Sequence, residues 1–98
     1  MLYVLICKDK PGEGLEKRMK ARPDHLAYLE RLGEKIRVGG AMLSSDEKEP
    51  RGSVIIIEAE NLEEAQAIAA ADPYAKAEVF SSVEIHPLRQ AAGVVSLG

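Results

Sequence analysis

Two stretches, LYVLIC at residues 2 to 7 and SVIIIEA at residues 53 to 59, are rich in strand formers and apolar at nearly every position. A strand with one face in water alternates polar and apolar side chains, so both runs call for cover on both faces. The elements around them limit how that cover is supplied. A helical region extends from about Leu15 to Gly33, and Pro23 either opens the main helix at its first position, with Arg22 near the cap, or kinks a longer one. IRVGGAML, residues 36 to 43, reads as a second strand in which Gly39 and Gly40 suggest a bulge or a close backbone approach. SSDEKEPR is a polar loop. After the third strand, NLEEAQAIAAA opens on Asn61 as cap, with acidic residues in its first turn and an apolar face of Leu62, Ala65, Ile68 and Ala69. VFSSVEI, residues 79 to 85, alternates, with Val79, Val83 and Ile85 on one side and Ser82, Glu84 and His86 on the other.

The order βαββαβ predicts an α+β chain of ferredoxin-like arrangement, a four-stranded antiparallel sheet with both helices on one face. Residues 1–98 then make a single domain, with residues 88–98 as a weakly specified tail. One sheet face is left bare. An identical subunit packed sheet to sheet covers it most simply, so a homodimer is expected.

Composition narrows the function classes. With 46% apolar and 30% charged residues the chain is globular, and its net charge of −3 argues against nucleic acid or an anionic membrane as partner. The cluster Lys17, Arg18, Lys20, Arg22 is diluted by Glu13 and Glu16 and reads as a solvated helix face. A single cysteine, Cys7, excludes an intrachain disulfide and fits a small core residue in a reducing compartment. No apolar run is long enough to span a bilayer, and the start lacks a signal peptide's basic region and cleavage site, so the cytoplasm is the expected location.

One residue of the long helix stands out. In ARPDHLAYLERL, Tyr28, Leu32, Leu29 and Leu26 fall within about 100° of His25 around the helix axis, which puts the imidazole inside the apolar stripe. A histidine on an inner face needs a polar partner. It is then either a satisfied core residue or a working group. Asp72 in DPY is by itself a common turn residue, and Ser53 in RGS opens the third strand. Spacing alone does not bring His25, Asp72 and Ser53 together.

The chain resembles the YciI-like (YCII-related) family of the dimeric α/β barrel superfamily. The resemblance rests on LYVLICKDKPG, on Arg22, His25 and Leu29 in R..HLAYL, on the glycines at 39 and 40, on GSVIIIEAEN from Gly52, on DPYAKA from Asp72, and on VEIHP. It implies a ferredoxin-like dimer with a pocket between sheet and helices. It also implies an active site in which His25 pairs with Asp72, with Ser53 close by and Arg22 and Tyr74 on the substrate. Two positions depart from the pattern. Glu78 replaces the usual glycine next to the expected pocket, where its charge would alter shape or anion binding. His86-Pro87 stands for the family's RP, followed by Leu88 instead of an aromatic.

A His–Asp pair of this kind is an acid–base device, suited to moving a proton on a small carbonyl, enol or phenol-like compound, and some relatives are associated with elimination from chlorinated hydroxyquinols. A lyase- or isomerase-type enzyme is therefore expected, with no cofactor. The competing class is a dimeric small-molecule-binding or accessory domain without turnover. A serine nucleophile is disfavoured because no G-x-S-x-G elbow surrounds Ser53. A metal held by His25, Asp72 and His86 lacks a local ligand motif, and none is expected.

Overall fold

β1 (Leu2–Asp9) is one of the two inner strands of the sheet, hydrogen-bonded on both edges. In the computed structural model, which describes residues 1–98, β1 pairs antiparallel with β3 (Pro50–Glu58) on one side and β4 (Phe80–Leu88) on the other. β2 (Ile36–Leu43) pairs antiparallel with the outer edge of β3, giving the order β2-β3-β1-β4. Three α-helices, α1 (Glu13–Leu32), α2 (Leu62–Ala71) and the single turn α3 (Pro73–Lys76), and a 3₁₀ turn at Gly33–Lys35 connect the strands. This is the ferredoxin-like arrangement that the order of elements predicted. No helix is long and apolar enough to cross a membrane.

The apolar runs divide by parity, because successive side chains of a strand point to opposite faces. Tyr3, Leu5 and Cys7 of β1 and Ile55 and Ile57 of β3 turn toward the helices and form one core with Ala59 and Ala65. Val4, Ile6, Val54 and Ile56 turn the other way and are only partly buried. Beside them Val38 of β2 is 46% exposed. A single chain thus fills one side of the sheet and leaves apolar side chains open on the other.

Several local expectations are corrected. α1 runs unbroken through Pro23, so of the two alternatives the longer helix is the one formed. It stops at Gly33, whose φ of 55° lets its N–H reach back to the carbonyls of Leu29 and Glu30. In β2 the register shifts between Ile36 and Val38 and again between Met42 and Leu43, on either side of the glycines and not at them. A side-chain carbon at Gly39 would meet nothing nearer than 3.9 Å, and one at Gly40 nothing within 4 Å. The pair marks open space, neither bulge nor close approach. Asn61 caps α2 as read, accepting from the Glu64 N–H at 2.9 Å. DPY is more than a turn: Asp72 accepts from the Tyr74 N–H at 2.9 Å and caps α3.

Glu78 ends α3 in the left-handed region, with φ of 60°, while its N–H and that of Val79 return to the carbonyls of Ala75 and Tyr74. Its side chain is 75% exposed and lies 3.9 Å from Lys10. It is not among the residues around the cleft described below, so the expectation that its charge acts on the pocket is not met. The family's glycine has a backbone reason here. A left-handed L-residue costs about 1–2 kcal/mol, partly offset by glycine's greater loss of freedom on folding, and an exposed contact such as that to Lys10 adds little. Glu78→Gly should therefore raise the stability read from urea denaturation by about 0.5–1 kcal/mol; an unchanged or lower midpoint would contradict this account of the turn.

Candidate functional site

The inner stripe of α1 is polar where a core-packed helix is normally apolar. Its buried residues are Gly14, Arg18 and His25, whereas Leu26 is 44% exposed. Arg18 and His25 are seven residues apart, close to two full turns at about 3.6 residues each, so they share one face. Each meets its partner from another element.

His25 Nδ1 lies 2.8 Å from Asp72 Oδ1, both groups buried. The same carboxylate oxygen holds the first turn of α3 through the Tyr74 N–H, so cap and imidazole partner are one atom. Tyr74 in turn stacks on His25, with ring centroids 3.8 Å apart and planes 9° from parallel. Phe80 meets the Tyr74 ring edge-on at 6.0 Å. The imidazole is fixed by a hydrogen bond in its plane and a ring against its face.

Arg18 is held as firmly. Its Nε donates to Asp9 Oδ2 at 2.7 Å, and its Nη2 donates to Asp9 Oδ1 at 2.8 Å and to Ser53 Oγ at 2.9 Å. The guanidinium carbon lies 4.5 Å from the centre of the Tyr74 ring. Burial alone would lower the guanidinium's pKa; the hydrogen bonds and charge of Asp9 outweigh it and hold the group above its ordinary value. Burial pushes the Tyr74 phenol up, with Arg18 and Arg22 opposing. Burial first, and then the charge of Asp72, pushes the Cys7 thiol up to about 12, which suits the core residue expected and excludes a thiolate nucleophile at neutral pH.

These groups border a cleft of about 220 Å³ between α1 and the sheet. Arg18, Arg22, His25, Leu26, Leu29 and Tyr74 line the helix side, and Gly39, Gly40, Ala41, Ser53 and Ile55 line the strand side. The missing side chains of β2 leave the space. No sealed side-chain nitrogen or oxygen in the chain lacks a partner, and neither His25 Nε2 nor Arg18 Nη1 has an aligned partner within it. Both atoms must therefore be accessible, and the cleft is the surface their residues line. Three larger depressions lie elsewhere. One of about 710 Å³ sits by Leu2 and the tail and one of about 490 Å³ lies between Asp24 and Lys76, neither with a buried charge; in the third, about 740 Å³ near Lys8 and Arg51, the one buried charged side chain is Asp9, which Arg18 already pairs.

The structure thus brings together His25 and Asp72 in direct contact, and sets Ser53, Arg22 and Tyr74 around the same cleft. Ser53 is bonded to Arg18, not to the His–Asp pair. His86 pairs in β4 opposite Val4, on the far face of the sheet, and contacts Glu84 at 3.2 Å. It does not join His25 and Asp72, and no group of three metal-ligating side chains forms. The residues that sequence reasoning missed are Arg18 and Asp9. Arg18 had been grouped with the solvated cations around it; its seven-residue spacing from His25 was the available signal.

Comparison with known proteins agrees with this architecture. The YCII-related domain model matches residues 1–89. Protein YciI of Escherichia coli O6:H1 is 42% identical across 92% of this chain and 98% of its own length. An uncharacterised protein of Haemophilus influenzae is 36% identical over the same shares. Among solved structures, 5-chloro-2-hydroxyhydroquinone dehydrochlorinase (TftG) from Burkholderia phenoliruptrix AC1100, in complex with 2,5-dihydroxybenzoquinone, superposes with a TM-score of 0.84. It is 37% identical, and the match covers 93% of this chain and 96% of that one. The chain belongs to the YCII-related domain family.

Proposed function

We propose that the cleft is the active site of an acid–base enzyme that moves a proton on a small carbonyl, enol or phenol-like compound. The observation that carries it is the buried 2.8 Å contact between His25 Nδ1 and Asp72 with Nε2 left accessible. When Nδ1 carries hydrogen it donates to the carboxylate, and Nε2 is then the acceptor. Asp72 fixes that tautomer and stabilises the imidazolium formed when Nε2 takes a proton. The dehydrochlorinase at 37% identity supports the same class of chemistry, since removal of HCl from a chlorinated hydroxyquinol requires a base for the hydroxyl proton. Ser53 orients the ligand by hydrogen bonding. Tyr74 packs the imidazole and borders the ligand, and exposed Arg22 draws negative groups toward the mouth.

The open sheet face is read as the contact between two copies. Val4, Ile6, Val54 and Ile56 lie side by side on paired strands, and covering them with the same surface of a second chain removes apolar area from water at about 25 cal/mol per Å².

Chloride release from 5-chloro-2-hydroxyhydroquinone tests the enzyme. The double change His25→Leu with Asp72→Asn should lower the rate about 100-fold or more while leaving the melting temperature equal or higher. The reason is that a well-packed apolar replacement for a buried pair is commonly neutral or stabilising, and Asn still caps α3. Early unfolding with retained turnover would make the pair structural. A parent that binds 2,5-dihydroxybenzoquinone but converts nothing would favour the binding-domain reading. Location is tested separately: Gly39→Ile fills open space with a strand-favouring side chain. It should fold at least as stably as the parent and lose the ligand, and unchanged binding would place the site elsewhere.

A further inference from the structure

Arg18 is the one charged side chain that is built into the floor of the cleft, and the acid–base role of His25 leaves it unused. A guanidinium has five N–H donors. One on Nε and two on Nη2 are committed to Asp9 and Ser53, which leaves the two on Nη1. The residue is only 4% exposed, so this small accessible portion is directed by the three fixed bonds and has no freedom to turn into bulk water. The Tyr74 phenol is near enough to feel the guanidinium's charge and to hydrogen-bond with it, which takes at most one of those two donors. A buried donor with a fixed direction, bordering the cleft, is what an oxyanion requires.

We propose that Arg18 is the anion-binding residue of this cleft, and that its ligand is a single-ring enol or phenol held through its ionised oxygen on Nη1. The proposal rests on the cleft being the ligand site and on His25 being its base. The size fits, since about 220 Å³ lies below the roughly 300–1,000 Å³ usual for drug-sized ligands. The charge balance also fits. Arg18 and Arg22 are offset by Asp9 and Asp72, so a neutral weak acid enters without a charge penalty. Its O–H bond then breaks, the proton goes to His25 Nε2, and the bonding pair stays on oxygen, facing Nη1. Total charge is unchanged and the two new charges each meet an opposite one: imidazolium with Asp72, oxyanion with Arg18. A phosphate dianion would bring two uncompensated charges into the same space and is disfavoured.

The probes are 4-nitrophenol, whose ionised form has its own visible absorption band, and its methyl ether 4-nitroanisole, which has no acidic hydrogen. In mildly acidic buffer the parent should bind nitrophenol about tenfold or more tightly than the ether, and the bound nitrophenol should show the phenolate band. Arg18→Lys keeps a cation for Asp9 but withdraws the Nη1 donors; it should erase that preference. Should the lysine variant not fold, Arg18→Gln with Asp9→Asn replaces both charges by hydrogen-bonding amides and carries the same expectation. His25→Gln separates this inference from the reading beneath it. Without the base, the phenolate band should vanish in mild acid, yet nitrophenol already ionised in mildly alkaline buffer should still be preferred over the ether. Equal binding of both probes to the parent, binding of neither, or a full preference in the Arg18 variants would overturn the assignment. Loss of the phenolate band in Arg18→Lys together with its persistence in His25→Gln would instead remove His25 as the base.

Discussion

A single carboxylate, that of Asp72, connects the long helix to the rest of the site. Its Oδ1 accepts from the Tyr74 backbone and lies 2.8 Å from the His25 ring. The first contact starts α3, and α3 places the Tyr74 ring against the imidazole and under the Arg18 guanidinium. α1 is therefore seated on the chain's buried polar groups as much as on its leucines. Such a seat is conditional: a buried pair contributes little net stability when whole, and leaves an uncompensated charge when one partner is removed. Two such pairs, His25 with Asp72 and Arg18 with Asp9, face one small cleft and each keeps one nitrogen accessible to it. They sit on α1, at the end of β1 and at the cap between α2 and α3, and these regular elements give the site fixed geometry.

The same frame explains the emptiness beside these groups. β2 is the edge strand, and where it crosses the cleft it carries Gly39, Gly40 and Ala41 instead of the bulky residues of β1 and β3. The sheet thus has apolar mass on its inner strands, where it is needed for the core, and almost none opposite Arg18 and His25. On the reverse face the inner strands remain apolar, which couples the interior pattern to the proposed pairing of two copies.

Much of this was legible in the chain. LYVLIC and SVIIIEA mark the two inner strands because continuous apolar character has few other causes in runs so short. Asn61 marks a helix start through a known hydrogen bond. His25 was visible because one polar residue interrupts an apolar stripe. What stayed hidden has physical reasons. Arg18 lies among Lys17, Lys20 and Arg22, and only a buried acceptor from β1, distant in sequence and pointing the right way, distinguishes it from a solvated neighbour. The contact between His25 and Asp72 depends on how two helices meet, which local periodicity does not encode; resemblance to a family supplied it and the fold agrees. Pro23 was ambiguous because a missing N–H is tolerated on an exposed turn of a long helix when the rest of the helix is well anchored. The family's glycine at position 78 could mark either space or backbone conformation, and with Glu78 at φ of 60° here it marks conformation.

The central claim is that Asp72 holds His25 in one tautomer, with hydrogen on Nδ1 and a basic Nε2 turned to the cleft. Long-range ¹H–¹⁵N correlation on selectively labelled histidine reads this directly in the unliganded protein, because protonated and unprotonated ring nitrogens resonate far apart. The account predicts, for the neutral His25 ring, a protonated Nδ1 and an unprotonated Nε2, and a mixture of the two tautomers once Asp72→Asn removes the carboxylate. A parent His25 carrying its hydrogen on Nε2, or a tautomer ratio indifferent to residue 72, would contradict it.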